Sequence, residues 1–245
     1  MAYESPLTIA DVVKDISANK YVLPSIQREF VWSTSQIEKL FDSVMQDYPF
    51  GAFLFWELSK DQNTLYDFYS FLQNYHEKTA RHNPKVNLTG NDNVMAVLDG
   101  QQRITSIFSV FQTELTAVST VSSWMDIYYI LGSSVESQQS QFVPLDANNV
   151  DAKKHFPLNC LFDSVKYRKA TEHLDDQTKI EVDKLQETFK EIQIPFQLME
   201  TDDRAHVAIV FERINRTGVP LDSFQLLKAW SWSTDFDLQE QLDDL

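Results

Sequence analysis

Residues 94–103 have the sequence VMAVLDGQQR, in which an apolar run is followed at once by Asp99 and Gly100. Few local backbone structures are compatible with this pattern. The run predicts a buried strand over residues 94–98, and residues 101–113 continue with the apolar spacing of a helix. Proteins bind phosphates where a strand's carboxyl end meets a helix's amino end. The first helical N–H groups lack an internal partner there, and the helix dipole attracts an anion. The sequence therefore predicts a nucleotide site at this junction.

The junction is rich in polar side chains, namely Asp99, Gln101, Gln102 and Arg103. The carboxylate suits a metal ion or a water, the amides supply hydrogen bonds, and the arginine is a cation for phosphate. Arg103 lies off the apolar stripe of the helix, so we expect it to turn toward the helix's open end. A structural interpretation stays open, since Asp99 and Gln102 have the spacing of a capping box and Gly100 could simply relieve crowding.

The net charge of −15 argues against a protein that binds the phosphate backbone of DNA, because such proteins carry a basic face. Residues 1–110 carry 9 basic and 13 acidic side chains, and residues 111–245 carry 12 and 23. The first part is therefore balanced enough to hold an anion in a local pocket. With 43% apolar residues, the 245-residue chain can form one large domain, or one domain with a smaller helical piece.

The single cysteine, Cys160, excludes a disulfide framework, and the N-terminal residues lack the basic start and apolar run of a signal peptide. No apolar stretch approaches the ~20 residues that span a bilayer. We therefore expect a cytoplasmic protein without membrane contact. The sequence also lacks metal-site spacings of histidine and cysteine, Gly-rich phosphate loops and a GxSxG nucleophile motif.

Strands and helices are predicted to alternate along most of the chain. Helices are expected over residues 7–17, 35–48, 101–113, 203–215 and 221–232, and over most of 150–192. Strands are expected over residues 21–24, 52–58, 94–98, 126–131, 142–145 and 194–199. The aromatic residues 65–76 are compatible with a helix, and residues 79–93 with a polar loop. Thr8 is expected to cap the first helix, and Ser35 with Glu38 the second. This order predicts an α+β (mixed α/β) fold followed by a helical segment.

A second polar motif lies in PSIQREFVW, residues 24–32, which is predicted to be extended before a helix. Irregular backbone at such a place often carries recognition side chains. Arg28, next to Gln27, could bind a phosphate through two hydrogen bonds, and Trp32 could stack on a base. The alternative is a surface arginine beside Phe30 and Trp32 as core anchors.

A third motif, FERINRTGVPLDSFQLLKAW, occupies residues 211–230. Phe211 and Ile214 have the spacing of core residues, and Gly218 is expected to end the first of its two helices. Asn215 is then left as a polar side chain near the end of that helix. It could contact a ligand or simply cap the helix, since asparagine tolerates left-handed geometry.

These three motifs, in this order over about residues 7–232, resemble the N-terminal domain family of GmrSD-type, modification-dependent restriction systems. The resemblance implies a ParB/sulfiredoxin-like nucleotide-binding domain over residues 1–200 and a helical extension over residues 201–245. It also ties the DGQQR motif to nucleoside triphosphate hydrolysis, which in that family controls a nuclease domain.

Carried over by position, the resemblance assigns roles to the polar residues of all three motifs. Catalysis would involve Asp99, Gln101, Gln102 and Arg103. From its charge, we expect Asp99 to hold Mg²⁺ or to orient the attacking water. Nucleotide binding would involve Gln27, Arg28, Gly100, Arg103 and Asn215.

Many relatives continue into an HNH-type nuclease, which this chain does not show, so DNA would be reached through a partner or a missing segment. One alternative is a binding-only sensor of nucleotide or modified DNA. A direct nuclease is a second alternative, which the lack of a metal array disfavours. The oligomeric state and the preferred base are left open.

Overall fold

The computed structural model describes residues 2–3, 5–24, 30, 32–59, 68–71, 85–88, 90–91, 93–112, 126–134 and 139–215. Its helices are α1 (Ile9–Ser17), α2 (Thr34–Met45), α3 (Gln101–Phe111), α4 (Ser164–Thr171), α5 (Asp176–Glu191) and α6 (Arg204–Asn215). Its strands are β1 (Ala2–Tyr3), β2 (Leu7–Thr8), β3 (Tyr21–Pro24), β4 (Phe53–Glu57), β5 (Phe68–Tyr69), β6 (Met95–Asp99), β7 (Asp126–Ile130), β8 (Phe142–Leu145), β9 (His155–Pro157), β10 (Gln193–Ile194) and β11 (Phe196–Glu200).

The largest sheet has the order β1–β11–β4–β6–β3–β5 and mixes both kinds of pairing. β11 runs parallel to β4, and β3 runs parallel to β6, whereas β4 and β6 are antiparallel. The carboxyl ends of β3 and β6 therefore lie at the same edge of the sheet as the amino end of β4. This edge carries Asp99, the last residue of β6.

Both faces of this sheet are buried, which explains why its central strands are continuously apolar. In β4, Phe53 and Phe55 belong to one core cluster, and Leu54 and Trp56 belong to the other. The first cluster includes buried residues of α1, α2, α3 and α5, and the second includes Val207 and other residues of α6. The α+β fold predicted from the sequence is therefore confirmed.

A separate antiparallel sheet, β8–β7–β9, packs on the helices through aromatic rings. Phe142 of β8 lies 5.8 Å from Phe41 of α2, and Phe41 lies 5.6 Å from Phe189 of α5 (ring centroids). The Tyr129 hydroxyl of β7 donates a hydrogen bond to Glu181 of α5 at 3.0 Å. These contacts attach the smaller sheet to the first core cluster.

Several predicted elements are confirmed to within a few residues, among them α1 with its Thr8 cap, where Asp11 N donates to Thr8 Oγ1 at 3.1 Å. The predicted cap of α2 is wrong by two residues. Ser33 is the N-cap, and its N–H donates to Gln36 Oε1 at 2.9 Å.

Two further expectations need correction, and α3 is more buried than its apolar spacing alone indicated. Phe68–Tyr69 is a strand rather than part of a helix, because it pairs with β3. The mostly helical stretch 150–192 also contains β9, which pairs with β7. α3 is buried on its polar side as well as its apolar side, with Ser106 fully buried and its hydroxyl donating to Gln102 O at 2.7 Å.

Some sequence predictions fall outside the described residues, including the helix at 221–232, most of the loop at 79–93, and Gln27 and Arg28. The division at residue 200 stays a prediction. Within the described ranges, no helix is long and apolar enough to cross a membrane.

Candidate functional site

The chain turns from β6 into α3 within one residue. Asp99 ends the strand, and Gly100 is the N-cap of α3 with φ +88°, in the left-handed region. A Cβ on Gly100 would lie 2.7 Å from Cε1 of Phe53, so the turn requires a residue without a side chain. The sharp turn directs the amino end of α3 to the sheet edge, next to the Asp99 carboxylate.

The capping-box interpretation of Asp99 and Gln102 is wrong. The N-cap is Gly100, and the Asp99 carboxylate is bonded to Arg103 rather than to the first-turn N–H groups. Gln102 Oε1 accepts a hydrogen bond from the backbone N–H of Trp32 at 3.2 Å. Gln102 therefore ties the end of the PSIQREFVW motif to the DGQQR motif, and the carboxylate is left at the pocket.

The Arg103 side chain turns back toward the amino end of α3, where its guanidinium makes three hydrogen bonds. Nη1 donates to Phe50 O at 2.6 Å, and Nη2 donates to Ala52 O at 3.1 Å and to Asp99 Oδ2 at 3.3 Å. Its Cζ lies 4.8 Å from the ring centroid of Phe53, within cation–π range. The guanidinium is therefore held at the amino end of α3 by Asp99 and by the segment before β4.

The charge of Arg103 is held in a largely buried position, with 17% of the side chain exposed. Burial lowers the pKa of Arg103, and the neighbouring Asp99 carboxylate opposes that shift. An arginine remains charged in proteins even so. The Asp99 side chain is 39% exposed, so the ion pair presents its carboxylate to solvent.

A pocket of about 130 Å³ lies at the amino end of α3. Its lining consists of Trp32, Leu98, Asp99, Gly100, Gln101, Gln102, Arg103 and Asn215. All three motifs therefore meet here. The glutamines Gln101 and Gln102 are 7% and 6% exposed, so their amide groups are fixed by burial.

The sheet topology explains how Asn215 reaches this pocket. β11 runs opposite to β6, so it ends at the far edge of the sheet. α6 then returns across the sheet with Val207 and Phe211 in the core, and its last residue is Asn215. The Asn215 Nδ2 donates to Phe211 O at 2.9 Å, as a helix-terminal side chain would. Asn215 thus has a structural bond and a place in the pocket.

Metal binding at this site would depend on Asp99. Within the described ranges, no group of three His, Cys, Asp or Glu side chains is placed to hold an ion. Mg²⁺ is often held by one or two carboxylates together with substrate phosphates and waters. The Asp99 carboxylate fits that mode, because Arg103 engages its Oδ2 and no residue of the described ranges engages its Oδ1.

Sequence reasoning missed the Phe50–Phe53 segment, whose carbonyl groups and ring contact Arg103. These contacts are made mainly by the backbone, so residue types gave little signal. The available signal was Gly51, directly after Pro49-Phe50, because a glycine there indicates a turn. The strand after this turn is antiparallel to β6, which brings the turn to the end of β6 where the site lies.

Comparison with known proteins gives two results. The family model described as "GmrSD restriction endonuclease, N-terminal domain" matches residues 9–232. An uncharacterised protein of Methanocaldococcus jannaschii is 27% identical over 243 residues, which cover 90% of this chain and 40% of that protein. The chain thus spans less than half of that relative's length. With nearly all of it matched by the family model, the chain belongs to the family of N-terminal domains of GmrSD restriction endonucleases.

Proposed function

We propose that this chain binds a nucleoside triphosphate at the amino end of α3 and hydrolyses it with Mg²⁺. In this proposal the chain is the regulatory domain of a modification-dependent restriction protein, and hydrolysis controls DNA cleavage by a nuclease outside the chain. The observation that carries the proposal is the pocket in which Asp99, Gln101, Gln102 and Arg103 meet Asn215.

The pocket supports recognition of phosphate more than recognition of a base. Its volume of about 130 Å³ is below the roughly 300 Å³ at which pockets begin to enclose drug-sized ligands. A phosphate group at the amino end of α3 would meet first-turn N–H groups and the positive end of the helix dipole. The base and sugar would extend past Trp32, which forms one wall of the pocket.

Each polar residue has a role that its position supports. Asp99 would hold Mg²⁺ or orient the attacking water through its exposed carboxylate. Arg103 would stabilise negative charge on the phosphates from a fixed position. Positioning and charge stabilisation supply most of the catalysis of phosphoryl transfer. Gln101 and Asn215 would hydrogen-bond the phosphates, and Gln102 would hold Trp32 in place.

The test is phosphate release from ATP, GTP, CTP and UTP with Mg²⁺, compared between the wild type and Asp99→Ala. Asp151→Ala is the control, because Asp151 is another ion-paired carboxylate and does not line the pocket. We expect release in the wild type and the control and none in Asp99→Ala, with all three folded by circular dichroism.

Calorimetric titration of the same nucleotides separates the alternatives. Binding without release in the wild type would favour the binding-only sensor over an enzyme. Release that persists in Asp99→Ala would remove Asp99 from catalysis. A folded wild type that neither binds nor hydrolyses any nucleotide would overturn the proposal.

A further inference from the structure

The segment Phe50–Phe53 fixes the position of the site's cation, although it belongs to none of the three motifs. The carbonyl groups of Phe50 and Ala52 both accept from the Arg103 guanidinium, at 2.6 and 3.1 Å. Gly51 lies between these two residues in the chain, and its φ of +88° lies in the left-handed region, so the chain turns there before it enters β4.

Gly51 also has no room for a side chain. A Cβ at this position would lie 2.6 Å from Arg103 Nη1 and 3.5 Å from Arg103 Cζ, and the first distance is far inside van der Waals contact. The three atoms nearest to such a Cβ all belong to the Arg103 guanidinium. Gly51 therefore contributes both the turn and the space that the arginine occupies.

We propose that Gly51 is a positioning residue of the nucleotide site, which holds Arg103 at the amino end of α3 by leaving its guanidinium between two backbone carbonyl groups. That the location of the Arg103 guanidinium matters for hydrolysis rests on the proposed function. That Gly51 determines this location does not rest on it, and the location can be measured without a nucleotide.

The hydrogen-bond inventory of Arg103 agrees with a positioned cation. A guanidinium has five N–H donors, and the contacts to the described residues engage three of them. The other two, Nε–H and one Nη1–H, donate to none of the described residues and would be available to an anion in the pocket that Arg103 lines. Because the other three donors are already bonded, little reorganisation is needed when negative charge develops nearby.

The side chain would yield to a Cβ on Gly51 before the backbone does. The Phe53 N–H donates to Pro195 O at 3.0 Å, and β4 pairs on both sides with β11 and β6. The guanidinium, by contrast, is the far end of a flexible side chain. Gly51→Ala should therefore displace Arg103 and leave β4 in place.

The test compares Gly51→Ala with Gly90→Ala. Gly90 has φ +85°, so it incurs the same backbone strain, but a Cβ there would meet nothing within 4 Å. We expect Gly51→Ala to lower kcat/KM for the hydrolysed nucleotide on the order of 10²-fold, as expected for a misplaced catalytic group. Gly90→Ala should stay within about twofold of the wild type, well below the fold-change of a misplaced group.

A spectroscopic readout decides the position of Arg103 without any nucleotide. In protein labelled with ¹⁵N-arginine, the Arg103 side-chain signals are assigned by their loss in Arg103→Lys. Held by carbonyl groups, the guanidinium should give resolved Nη signals in the wild type and in Gly90→Ala. These signals should shift or merge in Gly51→Ala.

Unfolding gives a second measure if Gly51→Ala is hard to produce. In an Arg103→Ala background the Cβ no longer meets a guanidinium, so Gly51→Ala should lower the Tm no more than Gly90→Ala does. In the Arg103 background, Gly51→Ala should lower it further than Gly90→Ala.

The two proposals fail separately. If the wild type hydrolyses no nucleotide while the Arg103 signals still respond to Gly51→Ala, the proposed function fails and the positioning stands. If Gly51→Ala leaves the Arg103 signals and the Tm as Gly90→Ala does, the positioning role is overturned, whatever the wild type hydrolyses.

Discussion

Gly100 lies against the Phe53 ring, in a left-handed conformation that other residues adopt with strain. Gly100→Ala adds that strain to a collision between the new methyl group and a buried ring. We expect the free energy of unfolding to fall by about 2 kcal/mol or more. Urea denaturation followed by tryptophan fluorescence measures the change.

Gly132→Ala separates the two causes. Gly132 has φ +72°, and a Cβ there would meet nothing within 4 Å, so only the strain of about 1 kcal/mol applies. Equal losses in the two variants would show that the Phe53 ring moves aside freely and does not pack tightly against Gly100.

Cys160 is the single thiol and is buried in the first core cluster, with Sγ donating to Pro157 O at 3.0 Å. Burial raises the pKa of Cys160 to about 12, from an ordinary value of 9.0. Folded protein should therefore fail to react with a thiol reagent at pH 8, and denatured protein should react fully. Rapid modification of the native protein would contradict this burial.

The same shift predicts a pH dependence of stability. Below pH 9 the thiol is neutral in both states, and its contribution to folding is complete. Between pH 9 and about 12 the unfolded chain loses the proton while the folded chain keeps it, so the free energy of unfolding falls as pH rises. Burial likewise raises the pKa of Tyr129 to about 12, so the test is the difference between wild type and Cys160→Ala, whose curve should be flatter.

The sequence was sufficient to locate Asp99 and Gly100 at a strand–helix junction, because a short local motif determines that turn. It was insufficient for Arg103, whose partners Phe50 and Ala52 come from another part of the chain and bind through backbone carbonyl groups. Side-chain identity carries little information about such partners.

The start of α2 shows how local chemistry defines an element. Gln36 Oε1 accepts from both the N–H and the hydroxyl of Ser33, at 2.9 and 3.2 Å. Gln36→Ala should therefore lower the free energy of unfolding by about 1 kcal/mol. Glu38→Ala is the matched control, because it makes a similar change in helix propensity two residues later. If Glu38→Ala is the more destabilising variant, the cap lies at Ser35 as the sequence had suggested.

Elements with a strong apolar period could be predicted, and those made by long-range pairing could not. α1 and β4 follow patterns that involve only their own residues. β9 is a three-residue strand in a charged stretch, and it forms because its backbone pairs with the edge of β7. Likewise, the polar residues of α3 gave no sign that its whole circumference would be covered.

At the scale of the whole molecule, the net charge of −15 opposes binding to nucleic acid. We expect the isolated chain to leave an unmodified, labelled DNA duplex free at about 0.15 M salt, as measured by fluorescence anisotropy, because surface charges there still repel phosphates. A basic DNA-binding protein is the positive control. Saturable binding that weakens with added salt would reveal a local basic face and favour direct contact with DNA.

The position of β4 between β6 and β11 has a consequence for synthesis of the protein. β6 leaves the ribosome soon after β4, but β11 ends only at Glu200, and β1 must wait for β11 as well. Until β11 has been synthesised, one edge of β4 has no strand to pair with. β4 carries four successive apolar residues, Phe53–Trp56. Such an open apolar edge promotes association between nascent chains. Ribosome-bound chains that stop short of residue 200 should therefore need a chaperone, and those that extend well past it should not.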